Sequence, residues 1–262
     1  MANDSDYIRI ANESGFPFQI AVEQHVADLK SEQGWNVCYS EHAWFNRRDQ
    51  QSGYIDIVVR NRHRTIFLVI ECKRPRDATW VFLNRKGDGE SRNIAKGWVT
   101  DYSDGQFQRN GWEDHHLHPV CSQASYCAVR GQSDNDRNTM IERIGGELIS
   151  ATEGFANEQR DFRPDLMRDL RFYFSVIVTT AELRLVRFSA ENLSLASGSV
   201  DDADTMTVPF VRFRKQLSAR ERGFNPEDFS NRVDVAKEKE STIFVVQAEG
   251  LGEFLKDFEL FE

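Results

Sequence analysis

Two short runs, Gly53-Tyr54-Ile55-Asp56-Ile57-Val58-Val59 and Phe67-Leu68-Val69-Ile70-Glu71-Cys72-Lys73, constrain the fold more than any other part of this chain. Both are apolar and rich in β-branched residues, and Asn61, Arg62, His63 and Arg64 supply a polar turn between them. An antiparallel hairpin is the simplest arrangement of such a pattern. With the turn centred between His63 and Arg64, Asp56 lies directly opposite Glu71. Opposed side chains have Cβ atoms roughly 4.5–5.5 Å apart, and the two-residue period of a strand puts Lys73 on the face of Glu71. Cys72 alternates to the other face, where it packs.

Two ionised carboxylates opposite one another repel unless a cation lies between them. A purely structural hairpin gains nothing from that arrangement. Hard oxygen ligands this close suit Mg²⁺, which keeps several waters and takes one or two protein carboxylates. In phosphodiester hydrolysis such an ion acidifies water and shields developing charge, and a neighbouring lysine stabilises the same phosphate oxygens or orients the water.

The pattern Asp56, Glu71-Cys72-Lys73 resembles the PD-(D/E)XK, or restriction-endonuclease-like, nuclease superfamily, in which a hairpin carries Asp and Glu-x-Lys and a preceding helix often adds a glutamate. A helix is predicted over 17–33, with Phe18, Val22, Val26 and Leu29 at helical spacing and Gly34 as its stop. Val22-Glu23, Val26, Leu29, Gly34-Trp35 and Val37 are similar to the helix and first strand of Mrr-like members, which gives Glu23 the role of the helix-borne acid. Gln19 stands one turn earlier, where some relatives carry their acid, and Tyr54-Ile55 stand where an arginine or glutamate often precedes the hairpin aspartate.

The resemblance implies an α/β (α+β) fold with a central mixed β-sheet flanked by helices, and metal-dependent hydrolysis of nucleic acid. The expected activity is that of a DNA endonuclease of restriction or antiviral-defence type. It assigns Asp56, Glu71 and the Cys72 main-chain carbonyl to Mg²⁺, for which Mn²⁺ can substitute. Lys73 then stabilises charge or orients water, and Glu23 assists through a second metal or a water. A catalytically silent module of the same fold, binding nucleic acid or a partner protein in a defence complex, is the alternative. A homodimer suits either reading.

A chain of 262 residues with 40% hydrophobic content can bury a full core as one domain. Its core motif spans 15–76, a long loop excursion 77–118, and a sheet extension with a C-terminal helix 170–262. No apolar run approaches the ~20 residues of a membrane span, and the start has neither the basic nor the apolar part of a signal peptide, so the expected compartment is the cytoplasm. The four cysteines are too few and scattered for a disulfide framework.

The formal net charge of −9 argues against a surface that binds nucleic acid everywhere. Residues 47–96 nevertheless hold twelve Lys or Arg against six Asp or Glu. Arg47, Arg48, Arg60, Arg62, Arg64, Arg74, Arg76, Arg85, Lys86, Arg92 and Lys96 are therefore expected to form a phosphate groove around the site, the alternative being solvated loop and strand-edge charges. The aromatic residues of the excursion, Trp80, Phe82, Trp98, Tyr102 and Trp112, suit stacking on bases but better suit pinning the excursion to the core.

His115, His116, His118 and Cys121 lack the regular spacing of a closed zinc site. Residues 121–129 read as a helix or buried connector that presents Gln123 toward the site by position only. A second helix is predicted over 138–158, kinked or closely packed at Gly145-Gly146. Strands are predicted at 172–178, with 183–188 as its hairpin partner, and at 208–213. Arg212, Arg214, Lys215, Arg220 and Arg222 suit a second phosphate contact or a solvated edge. Residues 221–241 read as an exposed connector, followed by a strand at 243–246 and a terminal helix from Leu251.

Overall fold

A computed structural model describes residues 4–75, 78–87, 92–129, 140–160, 168–217 and 232–261. Arg76, Arg220, Arg222, residues 138–139 and the 221–231 part of the connector lie outside the described residues. The hairpin forms as expected from β2 (Gln51–Arg60) and β3 (Ile66–Lys73), with Ile57 opposite Ile70, Val58 opposite Val69 and Val59 opposite Leu68. At the turn, Arg64 takes a left-handed φ of 60°, and Asn61 Oδ1 accepts the Thr65 and Ile66 N–H groups at 2.9 and 3.1 Å.

The preceding α1 (Asp4–Glu13) buries none of its residues, whereas α2 (Phe16–Gln33) buries Gln19, Val22 and Val26. Pro17 sits in the first turn of α2, where its missing N–H costs nothing. Gly34 ends the helix with φ 74° and returns its N–H to the Lys30 carbonyl at 3.0 Å, a conformation that favours glycine. The chain then enters β1 (Asn36–Asn46), antiparallel to β2.

The fold class is mixed α/β, as expected. Across the large sheet run β1, β2, β3, β9 (Arg168–Thr179), β13 (Ser241–Gln247), β12 (Phe210–Lys215) and β7 (Gln123–Ala124). The pairings β3–β9 and β9–β13 are parallel, and α3 (Met140–Arg160) precedes β9 in the chain. Val22, Val26, Ile57, Leu68 and Ile70 form a core on one face with α5 (Leu251–Asp257), and Trp35 Nε1 donates to the Leu255 carbonyl at 2.8 Å. Phe67, Val69, Ile144, Leu148 and Phe155 form a second core on the other face, beneath α3.

Residues 77–118 are not a loop excursion. They contain β4 (Thr79–Arg85), β5 (Arg92–Ser103) and most of β6 (Gln106–Cys121). β5 pairs antiparallel with both β6 and the first half of β9, so this hairpin branches from the main sheet. Trp80 and Phe82 are fully buried and Trp98 nearly so, which makes these aromatics core rather than a base-stacking surface. Residues 121–129 likewise form β7 and β8 (Tyr126–Val129) rather than a helix.

The 183–188 strand, β10 (Glu182–Phe188), does not pair with β9. It runs parallel to β4 in a second sheet ordered β11 (Asp204–Thr207), β10, β4, β8, whose inner residues Leu183 and Leu185 join the α3 core. The connector includes a short helix, α4 (Arg232–Glu238), and the C-terminal strand β14 (Glu259–Leu260) pairs with β6.

Close packing accounts for two glycines. α3 is continuous through Gly145, where a Cβ would lie 2.5 Å from Ile243 Cδ1, so packing rather than a kink uses this glycine. On β5, a Cβ at Gly97 would lie 2.5 Å from Cε1 of the buried Phe174. Gly97→Ala is therefore expected to cost about 1–3 kcal/mol by overpacking. The check is urea unfolding: a lowered midpoint with unchanged slope is expected, and an unchanged midpoint would contradict this packing.

Candidate active site

The β2–β3 ladder stops at Ile57–Ile70, and the two strands part beyond it. Side-chain alternation breaks at the same place: Ile55 joins the α3 core, whereas Ile57, two residues on, joins the α2 core. On β1 the matching irregularity is Glu41, with φ 50°, between the pairs Ser40–Ile57 and His42–Ile55. Asp56 lies at this break. Its Oδ2 accepts the Cys72 N–H at 2.7 Å, taking a bond that a continued ladder would have filled. Within a strand the N–H and C=O of one residue point toward the same neighbour, so the Cys72 carbonyl also points toward Asp56.

Lys73 Nζ lies 2.5 Å from Glu71 Oε1, with the two side chains 35% and 20% exposed. Glu71 faces α3 and lines a cleft of about 370 Å³ with Trp44, Ile55, Leu148 and Ala151. Burial and, after it, the charge of Glu71 push the Asp56 carboxyl up to about 6, against the lowering effects of the Cys72 N–H and Lys73. Glu41 adds a smaller repulsion. Burial and, after it, the charges of Asp56 and Glu71 push the Cys72 thiol far up.

Asp56, Glu71, Lys73 and the Cys72 carbonyl are thus brought together. Glu23 is placed differently, on α2, which packs against the opposite face of the sheet from Glu71. Gln19 forms the link. Its Nε2 donates to the Asp56 carbonyl at 3.1 Å and lies 3.5 Å from Glu23 Oε1. Among the described residues, no group of three or more His, Cys, Asp or Glu side chains is placed to hold a metal ion. The zinc reading of the histidines gains nothing either: His115 packs edge-on against Phe172 and Phe174.

The expected basic groove is only partly present. Arg47 is exposed in the β1–β2 turn, while Arg48 is committed to Glu153 at 2.8 Å and Asp49 at 3.3 Å. Arg74 is exposed beside Lys73 and donates to the Asn12 carbonyl of α1. Arg60, Arg62 and Arg64 lie at the turn end of the hairpin, away from the carboxylates. Lys86 pairs with Asp204, and Lys96 is buried against Glu238 at 2.9 Å. Gln123 is a correction: it lies on β7, at the opposite edge of the large sheet from the hairpin. Arg212 and Arg214 are buried and bonded, not a second phosphate contact.

Sequence reasoning missed Glu41 and the bridging use of Gln19. The β1–β2 register, once known, points to Glu41. Nothing in the local sequence points to Gln19 as a bridge, because its partner is a main-chain carbonyl 37 positions away.

The fold is that of a mixed α/β protein in which two half-buried acids and a lysine lie where a hairpin ladder ends. Compared with protein-family models, curated proteins and solved structures, the chain has no match. Among the described residues, no helix is long and apolar enough to cross a membrane.

Proposed function

We propose that the chain is a metal-dependent phosphodiesterase acting on nucleic acid, most plainly a DNA endonuclease of restriction or defence type. The observation that carries this reading is the end of the β2–β3 ladder at Asp56, whose carboxylate takes the Cys72 N–H and lies near enough to Glu71 and Lys73 to feel the charge of both. The two carboxylates and the Cys72 carbonyl are hard oxygen donors, and the pKa of Asp56 is raised in part by Glu71, which is the electrostatic situation a divalent cation relieves. Mg²⁺, or Mn²⁺ in its place, would supply charge neutralisation at a phosphate oxygen and acidification of water when held there.

The chain's own groups do the rest. Asp56 is held by the Cys72 N–H on its side chain and by Gln19 on its carbonyl, so its oxygens are oriented before any substrate arrives. Asp56, Glu71 and the Cys72 carbonyl would hold the cation, and Lys73, paired with Glu71 in the free protein, would stabilise negative charge developing on a phosphate oxygen. Glu23 acts through Gln19 as a positioning residue rather than as a third ligand.

The test is calorimetric titration of Mg²⁺ and Mn²⁺ into the protein, with Glu71→Gln alongside. Binding lost in the variant supports this reading. Failure of the unaltered protein to bind either ion would favour the silent module, in which Lys73 alone balances the two acids.

A further inference from the structure

Helix α1 is 10 residues long and buries none of them. Isolated helices shorter than ~12–15 residues are marginal in water, and within proteins most helical stability comes from packing an apolar face. α1 has such a face. Tyr7, Ile10 and Ala11 recur at helical spacing with Ile8 beside them, whereas Arg9 and Glu13 pair at 3.1 Å on the other side. Yet Tyr7, Ile8 and Ile10 are 61%, 63% and 55% exposed. Polar bonds hold its C-terminal end, where the Ser14 hydroxyl donates to the Ala11 carbonyl at 2.6 Å and Arg74 donates to the Asn12 carbonyl. Neither bond covers the apolar stripe.

The same deficit recurs at the start of α2. Phe16 and Ile20, one turn apart and outside the face that buries Gln19, Val22 and Val26, are 57% and 63% exposed. Ser14 and Gly15 alone separate the two helices, so five large apolar side chains are gathered at one end of the molecule. Together they expose about 500 Å², within the ~300–600 Å² of patches that are often functional.

Charge narrows what can cover this patch. Asp4, Asp6 and Glu13 outnumber Arg9 on α1, which repels the phosphates of nucleic acid and of anionic membranes, and a helix lying on a membrane carries Lys and Arg on its polar face. A protein surface is left, and the chain itself supplies one that fits. The α1 stripe and the α2 strip both lack cover, and in a twofold pair each α1 lies on the α2 of the other protomer, so that one surface serves both sides. Two patches of this size bury about 1,000 Å² of apolar surface before any polar rim is added, which reaches the threshold for a specific interface. We propose that the chain forms a twofold dimer through this surface, with Tyr7, Ile8 and Ile10 of each protomer packed on Phe16 and Ile20 of the other.

The experiment is sedimentation equilibrium of the full chain in EDTA at about 0.15 M salt, which keeps the result independent of any ion at Asp56 and Glu71. A species of twice the chain mass is expected, with a dissociation constant below about 50 µM. Ile10→Lys and Ile20→Lys are the discriminating variants. Both positions are exposed in the single chain and lysine is the better helix former, so the circular dichroism spectrum should be kept. Each change places two unpaired charges in the interface, so the dissociation constant should rise about 100-fold or more. Leu195→Lys, which removes a fully exposed apolar side chain outside the patch, should leave the dimer intact. A monomer at about 100 µM, a dimer undiminished in both isoleucine variants, or a dimer lost in Leu195→Lys would overturn the proposal.

Discussion

Lys73→Ala is expected to lower the rate of phosphodiester cleavage by about 10²–10³-fold, the usual cost of removing one group that stabilises transition-state charge. The fold should survive. Lys73 is the last residue of β3, its side chain is 35% exposed, and its partner is Glu71 at 2.5 Å rather than a group in the core. Removing the ammonium leaves Glu71 and Asp56 without their nearest cation. The metal-free variant should therefore be slightly less stable at pH 8 than at pH 5, while metal affinity is kept or increased. Single-turnover cleavage and thermal unfolding on the same preparation separate these effects. A full cleavage rate in Lys73→Ala would remove the lysine from the mechanism.

Asp56→Asn is expected to abolish cleavage and, in metal-free protein, to increase stability at neutral and alkaline pH. The sign follows from the raised pKa. In the folded chain Asp56 titrates at about 6 rather than 3.8, because burial and Glu71 disfavour its charge. The folded state thus holds this proton more tightly than the unfolded chain does. Stability falls as pH rises from about 4 to about 6, and the cost is complete above that range. A two-unit shift corresponds to about 3 kcal/mol, and partial exposure of the group to solvent reduces this to ~1–2 kcal/mol.

Asparagine keeps an oxygen for the Cys72 N–H and carries no charge, so the variant should recover that amount at pH 8 and nothing at pH 4. Millimolar Mg²⁺ should then stabilise the unaltered protein and not the variant, since only a state that binds the ion gains from it. Urea unfolding at the two pH values, with and without Mg²⁺, reads all four results. A variant less stable than the parent at pH 8 would contradict the electrostatic reading of the site.

The hairpin register was legible because its two apolar runs and polar turn admit few other pairings, and a slip of one residue would turn Val58 and Val69 out of the core. The helix carrying Glu23 was legible from the spacing of Val22 and Val26 and from Gly34. What Glu23 does was not. Helical spacing says which residues share a face, and it cannot say on which side of a sheet that face will pack.

The strands at 79–121 were hidden for a different reason. Much of β6 is exposed or half-buried and carries Gly, Asp, Glu, Asn and Arg, so it lacks the apolar alternation by which strands are recognised. Its place comes from pairing with β5 across the two-residue turn Asp104-Gly105, both at positive φ, and that short dipeptide is the one local signal of the hairpin. β10 follows β9 closely enough to suggest a hairpin, yet the chain changes sheets at Thr180–Ala181, and Leu183 and Leu185 find their core against α3. Charge counting over 47–96 likewise overestimated the groove, because Arg48, Lys86 and Lys96 are each held by an acid distant in sequence.

The most direct test of the proposed activity is incubation of the purified protein with plasmid, linear duplex, single-stranded DNA and RNA, in Mg²⁺, Mn²⁺ and EDTA, beside Glu71→Ala. Cleavage that requires the ion and disappears in Glu71→Ala is the expected result. Intact substrates under every condition, or cutting that persists in EDTA or in Glu71→Ala, would contradict a metal-dependent nuclease centred on Asp56 and Glu71.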